Sequence, residues 1–248
     1  MLRTVSDLKG CSIGATDGAI GEIDEVYFDD QYWTIRYLVV DTSGWLAGRR
    51  VLISPRAVRG VDLPNKTIAV TLSREQVESG PSVDADRPVD RRYEMEYSRY
   101  YGYPYYWTGP YRWGATPYPG EAAIAMPEVA SAMPPTGGDP SLRSTRNVTG
   151  YYIEATDGDI GHVDDFIVDT AAWAIRYMLI DTRNWWPGKK VLVSTEWISR
   201  VSWPDSRVYV DMSKEAIKGA PEYDPDRPLA RDYETRLFGH HHRTAYWD

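Results

Sequence analysis

The sequence predicts an all-β protein in which two small β-barrels stand in tandem, each followed by a short helix and an aromatic tail. The first observation behind this prediction is an internal repeat. Ala-Thr-Asp-Gly at residues 15–18 recurs at residues 155–158, and the offset holds without a gap far beyond this motif. The second is a succession of short segments rich in β-branched and aromatic residues, separated by evenly spaced turn signals. One small unit is therefore present twice.

The first half of the repeat predicts a lead-in, a hairpin and a buried strand. Residues 1–10 are a short lead-in with an edge strand. A strand over residues 12–16 ends at Asp17-Gly18, a pair that favours a type I′ turn because glycine tolerates positive φ. Residues 20–29 alternate between apolar and acidic side chains, which predicts the second hairpin strand. Residues 33–41 are apolar nearly throughout, as expected for a strand that is buried on both faces.

The second half of the repeat predicts three more strands and a helix. Residues 51–55 are rich in aliphatic side chains, and residues 58–63 and 67–72 flank a Pro-Asn turn, which indicates a further hairpin. A short helix begins after Ser73, because Ser73 and Gln76 have the spacing of a capping box. The second copy repeats these signals in the same order.

Both copies then continue in the same register into tails rich in Tyr and Trp. The shared register indicates a shared docking task, such as packing each tail on its own barrel. The predicted division is a first repeat with its tail over residues 1–107, a linker over residues 108–141, and a second repeat with its tail over residues 142–248. The linker is rich in Pro, Gly, Ala and Tyr. Its length predicts that the two barrels pair about a pseudo-twofold axis.

Composition and charge narrow the possible partners. The net charge of −8 is spread over both halves, whereas a phosphate backbone calls for a clustered basic face, so we expect no nucleic-acid partner. Cys11 is the only cysteine, which excludes an intrachain disulfide. The first ten residues lack an apolar signal core, and no run approaches the roughly 18 apolar residues of a membrane span. We therefore expect a cytoplasmic location and no transmembrane segment.

Several motifs together resemble one known family. They are Ile-Gly-Ala-Thr-Asp-Gly from residue 13, Ile-Arg-Tyr-Leu-Val-Val-Asp from residue 35, Val-Leu-Ile-Ser-Pro from residue 51, and Val-x-Leu-Ser-x-Glu-x-Val from residue 70. Over residues 10–83 and 150–223 the chain resembles the PRC-barrel family. This fold occurs in the cytoplasmic domain of the photosynthetic reaction centre H subunit and at the end of the 16S ribosome-maturation factor. The resemblance implies two PRC-type β-barrels that bind partners, and it implies no catalytic residues.

No catalytic, metal or cofactor site is predicted. Glycines 14, 18 and 21 open no helix, so they are assigned to turns and not to a nucleotide-binding loop. Two groups resemble metal sites: the acidic run of Glu22, Asp24, Glu25, Asp29 and Asp30, and the histidine tract at residues 240–242. Alternation along a strand sends neighbouring carboxylates to opposite faces. The histidines have no second cluster to complete a tetrahedral site, so we interpret them as a solvated tail.

Loops and tails rich in tryptophan carry the functional prediction. Tryptophans in the loop after the central strand lie beside basic residues, a composition enriched at interface hot spots. The candidate partner-binding residues are Trp45, Arg49, Arg50, Trp185, Trp186, Lys189 and Lys190 in the loops, and Tyr106, Trp107, Tyr246 and Trp247 in the tails. The alternative for the loop tryptophans is internal packing, either at a barrel end or on the other repeat.

The sequence thus predicts a non-catalytic binding or scaffold protein with an unidentified protein partner. One alternative is an accessory factor of a photosynthetic reaction centre or another membrane electron-transfer complex, which would bring peripheral association with that complex. Another is a role in ribosome or RNA maturation, which the acidic charge disfavours. A third is a small-ligand binder, which would need a concave apolar pocket with converging titratable groups.

Overall fold

The computed structural model describes residues 1–46, 49–83, 89–120, 142–182, 190–225, 227 and 229–248. Strands account for 39% of the described residues, and the helices there are few and short, so the predicted all-β class is confirmed. Within the described part of the chain, no helix is long and apolar enough to cross a membrane.

The elements follow the predicted order in both repeats. The first repeat contains β1 (Leu2–Thr4), α1 (Val5–Leu8), β2 (Ser12–Ala15), β3 (Gly18–Asp29), β4 (Thr34–Asp41), β5 (Arg50–Ile53), β6 (Val58–Asp62), β7 (Thr67–Val70), α2 (Arg74–Glu78) and α3 (Arg91–Tyr101). The second contains β8 (Leu142–Ser144), α4 (Thr145–Val148), β9 (Tyr152–Ala155), β10 (Gly158–Asp169), β11 (Ala174–Asp181), β12 (Lys190–Ser194), β13 (Ile198–Ser202), β14 (Arg207–Val210), α5 (Lys214–Gly219) and α6 (Arg231–His240). One-turn 3₁₀ helices lie at Pro55–Ala57, Tyr106–Thr108 and Thr195–Trp197.

The two compact units of the structure are not contiguous in sequence. The first unit comprises Asp7–Ser144 and Thr170–Ala174, and the second comprises Met1–Ser6, Thr145–Asp169 and Ile175–Asp248. The predicted edge strand exists in both repeats, but each copy belongs to the unit formed mainly by the other repeat. In the second unit β1 pairs antiparallel with β10, and in the first unit β8 pairs antiparallel with β3.

Within the first unit the strand order is β6-β7-β2-β3-β4-β5, and β7 and β2 run parallel. The second unit has the matching order β13-β14-β9-β10-β11-β12. Among the described strands this pairing does not close into a ring. The long strand β3 pairs with β2 through its first residues and with β4 through its last, so it connects the two ends of the sheet.

Gly21, which was expected to lie in a turn, is instead required by close packing inside a strand. Gly21 lies inside β3, where a Cβ atom would stand 1.9 Å from the carbonyl oxygen of Asp41. Gly161 is in the same situation, with a Cβ position 2.2 Å from the carbonyl oxygen of Asp181. Because no side chain fits so close to a neighbouring backbone, both positions require glycine.

The tails fold as helices. α2 begins at the predicted capping box of Ser73 and Gln76, but α3 and α6 were not expected from the aromatic composition. α3 lies on the face of β4 that points away from the main core, where Tyr97 packs with Tyr37 and Leu52. This covering helix explains why β4 is buried on both faces, as its composition predicts.

Candidate functional site

The tail of the first unit is attached to the sheet by a buried polar cluster. Glu94, in the first turn of α3, is only 1% exposed. Its Oε2 atom accepts a hydrogen bond of 2.8 Å from the Tyr106 hydroxyl, and the Tyr37 hydroxyl lies 3.5 Å from the same atom. Arg91, one helical turn away, forms an ion pair of 3.1 Å with Oε1. Glu94 therefore joins strand β4, helix α3 and the tail segment.

Burial changes the acidity of this cluster. Loss of hydration raises the pKa of Glu94 to about 7, although Arg91 and the hydrogen bond from Tyr106 act in the opposite direction. Burial also raises the pKa values of Tyr106 and Tyr37 above their ordinary range, and the neighbouring Glu94 adds to this effect. The phenols are therefore hydrogen-bond donors to the carboxyl group at any physiological pH.

Arg36 completes the cluster from strand β4. Its Nε atom lies 2.8 Å from Oδ2 of Asp29, and both side chains are almost fully buried. The guanidinium carbon lies 3.6 Å from the ring centroid of Tyr106 and 4.8 Å from that of Trp113. Its two Nη atoms have no hydrogen-bond partner among the described residues. The guanidinium group therefore makes cation–π contacts with these two rings on the side where it forms no hydrogen bonds.

Part of the predicted linker belongs to this cluster. Trp113 is buried, and its indole nitrogen donates a hydrogen bond of 2.9 Å to the carbonyl oxygen of Ala172 in the same unit. Arg56 donates a hydrogen bond of 2.6 Å to the carbonyl oxygen of Trp113. The sequence around Trp113 is rich in Gly and Pro and has no periodicity, so only tertiary contacts show that it is packed.

The second unit repeats the cluster at the equivalent positions. Glu234 is buried and accepts hydrogen bonds from Tyr177 at 2.6 Å and from Tyr246 at 2.8 Å, and it pairs with Arg231 at 3.0 Å. Arg176 lies above the ring of Tyr246 at 3.9 Å. Sequence reasoning did not single out either glutamate as a site, although the Tyr-Glu pair at the start of each tail was a visible signal.

The four predicted tail residues thus pack on their own units. Tyr106 and Tyr246 bind the buried glutamates through their hydroxyl groups. The ring of Trp107 stacks on Tyr105 at 4.7 Å and lies 4.0 Å from the Arg91 guanidinium. Trp247 lies 3.9 Å from the Arg231 guanidinium in the same way. Each tail therefore docks on its own unit by means of Tyr, Trp and Arg side chains.

The described loop residues also have internal contacts. Trp45 is half-buried, its indole nitrogen donates to the carbonyl oxygen of Ile20, and the Arg74 guanidinium lies 4.3 Å from its ring. Arg49 donates hydrogen bonds to the carbonyl oxygens of Glu78 and Gly80.

The remaining basic candidates pair with acids. Arg50 lies 3.5 Å from Asp24, and Lys190 lies 2.7 Å from Asp164. The other loop candidates, Trp185, Trp186 and Lys189, lie outside the described residues.

The residues that resemble metal ligands are used in other ways. Asp30 pairs with Arg143 at 3.0 Å, and Glu25 accepts a hydrogen bond from Ser144. In the histidine tract, His241 is half-buried against Trp197, and burial lowers the pKa of His241 to about 4. The tract is therefore partly docked, and not the fully solvated tail expected. Within the described ranges, no group of three or more His, Cys, Asp or Glu side chains is placed to hold a metal ion.

Comparison with known proteins agrees with this architecture. The model of the PRC-barrel domain matches residues 2–77 and 144–217, one match for each repeat. An uncharacterized protein of Deinococcus radiodurans is 37% identical over 91 residues, which is 36% of this chain and 32% of that protein. The chain thus spans about a third of the length of this relative.

Proposed function

Because the chain belongs to the PRC-barrel domain family, we propose that it is a non-catalytic binding or scaffold protein whose two units recognise protein partners. The observation that supports this most is the use of both buried carboxylates as attachment points for the tails. A buried glutamic acid with a pKa near 7 is otherwise a candidate general acid or base. A catalytic group must reach a substrate, whereas Glu94 and Glu234 are enclosed by Tyr and Arg side chains of their own units.

The surface of the molecule supports a role in recognition. Large aromatic side chains remain exposed after the tails have docked: Tyr100, Tyr111, Tyr118 and Tyr152. Trp45 is half-exposed beside Arg74. Tyr, Trp and Arg are the residue types enriched at the centres of protein interfaces, because they combine apolar area with hydrogen-bonding groups.

Affinity capture with the full chain tests this proposal. The immobilised wild type is exposed to extract of the native cell, and bound proteins are identified and quantified beside Trp45→Ala, Tyr152→Ser and Glu94→Gln variants. We expect a protein bound in fixed stoichiometry, with an affinity that falls about tenfold or more in at least one surface variant. Glu94→Gln is the control for internal packing and should bind as the wild type does.

The proposal fails if the wild type retains no protein, or if every surface variant binds as well as the wild type. It also fails if the purified chain turns over a substrate and Glu94→Gln abolishes that turnover. Loss of turnover in Glu94→Gln would assign an acid–base role to the buried Glu94.

A further inference from the structure

The outer face of strands β13, β14, β9 and β10 carries protruding side chains in the second unit. Residues alternate between the faces of a sheet, and Ile153 and Val208 point into the core. Strand register arranges the outward residues in two rows across the four strands. One row is Ser202, Arg207, Tyr152 and His162, and the other is Arg200, Tyr209, Glu154 and Asp159. We call this the aromatic face.

Aromatic rings and guanidinium groups dominate the aromatic face. Tyr152 is 56% exposed. The Arg200 guanidinium lies 4.0 Å from the ring centroid of Tyr209. Arg207 lies 5.6 Å from the ring of Tyr152 and forms ion pairs with Glu154 at 2.9 Å and Asp159 at 2.7 Å. The pairing holds the side chains in a fixed arrangement, which lowers the entropy lost when the face binds a partner.

The same strands of the first unit present a smooth face. Register aligns Asp62, Thr67, Ser12 and Glu22 in one row, and Gly60, Ala69, Gly14 and Ala19 in the other. Packing does not demand these small residues. A Cβ atom at Gly60 would meet nothing within 4 Å, and one at Gly14 would meet only the carbonyl oxygen of Ile68 at 4.0 Å. The equivalent positions of the second unit carry Arg200 and Glu154 on the same backbone pairing.

The charges of the two faces are complementary. Arg200 is exposed and has no carboxylate partner among the described residues. The smooth face ends in two exposed acids, Glu22 and Asp62, and Glu22 likewise has no basic partner in the described part of the chain. A partner with a flat apolar centre and an acidic rim therefore fits the aromatic face, and the smooth face has both properties.

We propose that the aromatic face of one molecule binds the smooth face of a second copy of the chain. Shape and charge both support this occupant: tyrosine rings and aliphatic arginine stems lie on glycine and alanine, while Arg200 meets the acidic rim. Every chain carries both faces, so the contact is heterologous and joins chains head to tail. Each face has two rows of four residues, fewer than the roughly 20–30 residues a side of a standard interface. Association is therefore weak and reversible.

Sedimentation velocity of the purified full chain over a wide concentration range is the first test. The weight-average mass of the wild type should rise with concentration, because every chain carries one face of each kind. A wild type that remains monomeric over the whole range overturns the proposal.

Two double variants, each altered on one face only, supply the decisive test. Tyr152→Ser with Tyr209→Ala removes the tyrosine rings of the aromatic face, and Gly60→Arg with Ala69→Tyr places large side chains in the centre of the smooth face. Each variant alone should remain monomeric, because it has lost one of the two faces. An equimolar mixture should form a heterodimer and nothing larger, through the two faces left intact.

Absence of a heterodimer in the mixture, or unchanged self-association of either variant, contradicts the proposal. Thermal unfolding identifies a variant that does not fold, and Glu22→Lys then replaces the Gly60→Arg/Ala69→Tyr variant, because it alters only an exposed rim charge. The inference goes beyond the proposed function and fails separately from it. If the wild type is monomeric but captures another protein through Tyr152, self-association is excluded and the binding role stands.

Discussion

The two units contain the same polar cluster in two different environments. In the first, the Arg36 side chain is 1% exposed and lies between Tyr106 and Trp113. In the second, the equivalent Arg176 is 15% exposed. Trp113 comes from the segment that follows the first tail. A cluster assembled from the same residue types is thus sealed in one unit and left partly open to water in the other.

This difference teaches that the strength of a buried ion pair depends on what covers it. Removal of one partner of a sealed pair leaves an uncompensated charge without water, which costs about 3–5 kcal/mol. Where water reaches the remaining charge, the cost is smaller. The same substitution should therefore have a larger effect in the first unit than in the second.

Deletion of residues 235–248 should have the largest effect. It removes the buried Leu237 and Phe238 together with the Tyr246 hydroxyl that binds Glu234. Loss of each large apolar side chain costs about 2–5 kcal/mol, so the second unit should no longer fold stably. Urea unfolding followed by circular dichroism measures this. An unchanged transition would show that the tail adds nothing to the fold.

The next largest effect is expected for Glu94→Ala, which should lower the free energy of unfolding by about 3 kcal/mol or more. The matched change Glu234→Ala should cost less, because Arg231 is more exposed than Arg91 and regains hydration. Chemical denaturation of the two variants under identical conditions gives both values. Equal losses, or a larger loss for Glu234→Ala, would contradict the comparison between sealed and open clusters.

Trp113→Phe should weaken the seal with a smaller change in volume. Phenylalanine keeps a ring near Arg36 but cannot donate to the carbonyl oxygen of Ala172, so we expect a loss of about 1–3 kcal/mol. Partial entry of water should also lower the pKa of Glu94 toward the ordinary value. Denaturation gives the stability, and carboxyl titration by nuclear magnetic resonance gives the pKa. A pKa that stays near 7 would show that Trp113 does not control hydration.

Glu94 also predicts a pH dependence of stability. Its pKa is about 7 in the folded state and roughly 4.3 in an unfolded chain, so between these values the folded state binds the extra proton. The stabilisation of the folded state by protonated Glu94 is therefore complete below about pH 4.3, and it declines as pH rises to about 7. Glutamine does not titrate, so the free energy of unfolding of Glu94→Gln should lack this decline, which amounts to up to about 1 kcal/mol per pH unit in the wild type.

The pH experiment compares denaturation midpoints of wild type and Glu94→Gln from about pH 5 to 8. The difference between the two midpoints should change as pH rises to about 7 and stay constant above that value. Parallel curves would mean that Glu94 titrates normally in the folded protein.

Trp45→Ala should have the smallest effect on stability, about 1–2 kcal/mol, because the ring is half-exposed but keeps a hydrogen bond to Ile20 and a contact with Arg74. Thermal unfolding measures the loss. Stability equal to that of the wild type would count against internal packing and favour the alternative that Trp45 binds a protein partner.

Much of the fold was predictable because its signals are local. The Asp-Gly turn, the apolar strand β4 and the Ser73 capping box each depend on neighbouring residues, and each appears where expected. Helix α3 was missed because its sequence is nearly all Tyr, Arg and Glu, which carries no clear apolar stripe. Its buried face consists of tyrosines whose environment depends on the sheet beneath them.

For the polar clusters around Glu94 and Glu234, the sequence predicts only that Tyr and Trp of the tails take part, and not which residues they contact. The sequence indicates Tyr106 and Tyr246 both as candidate partner-binding residues and as members of tails expected to pack on their own barrels, but it does not single out Glu94 or Glu234. A tyrosine suits an exposed interface and a buried hydrogen bond equally well, since it has an apolar ring and a polar hydroxyl. Which of these it forms depends on residues distant in sequence, such as Tyr37, 57 positions before Glu94.

By itself the sequence determined the duplication, the β class, the order of strands and turns, and the family. Each follows from patterns within a few residues or from the comparison of one copy with the other. Only the tertiary structure decided that β1 and β8 join units formed mainly by the other repeat, and that the tails pack on buried glutamates. It also showed that the equivalent outer sheet faces are smooth in one unit and aromatic in the other. These features depend on strand pairing and on burial, and both are properties of residues brought together from distant positions in the chain.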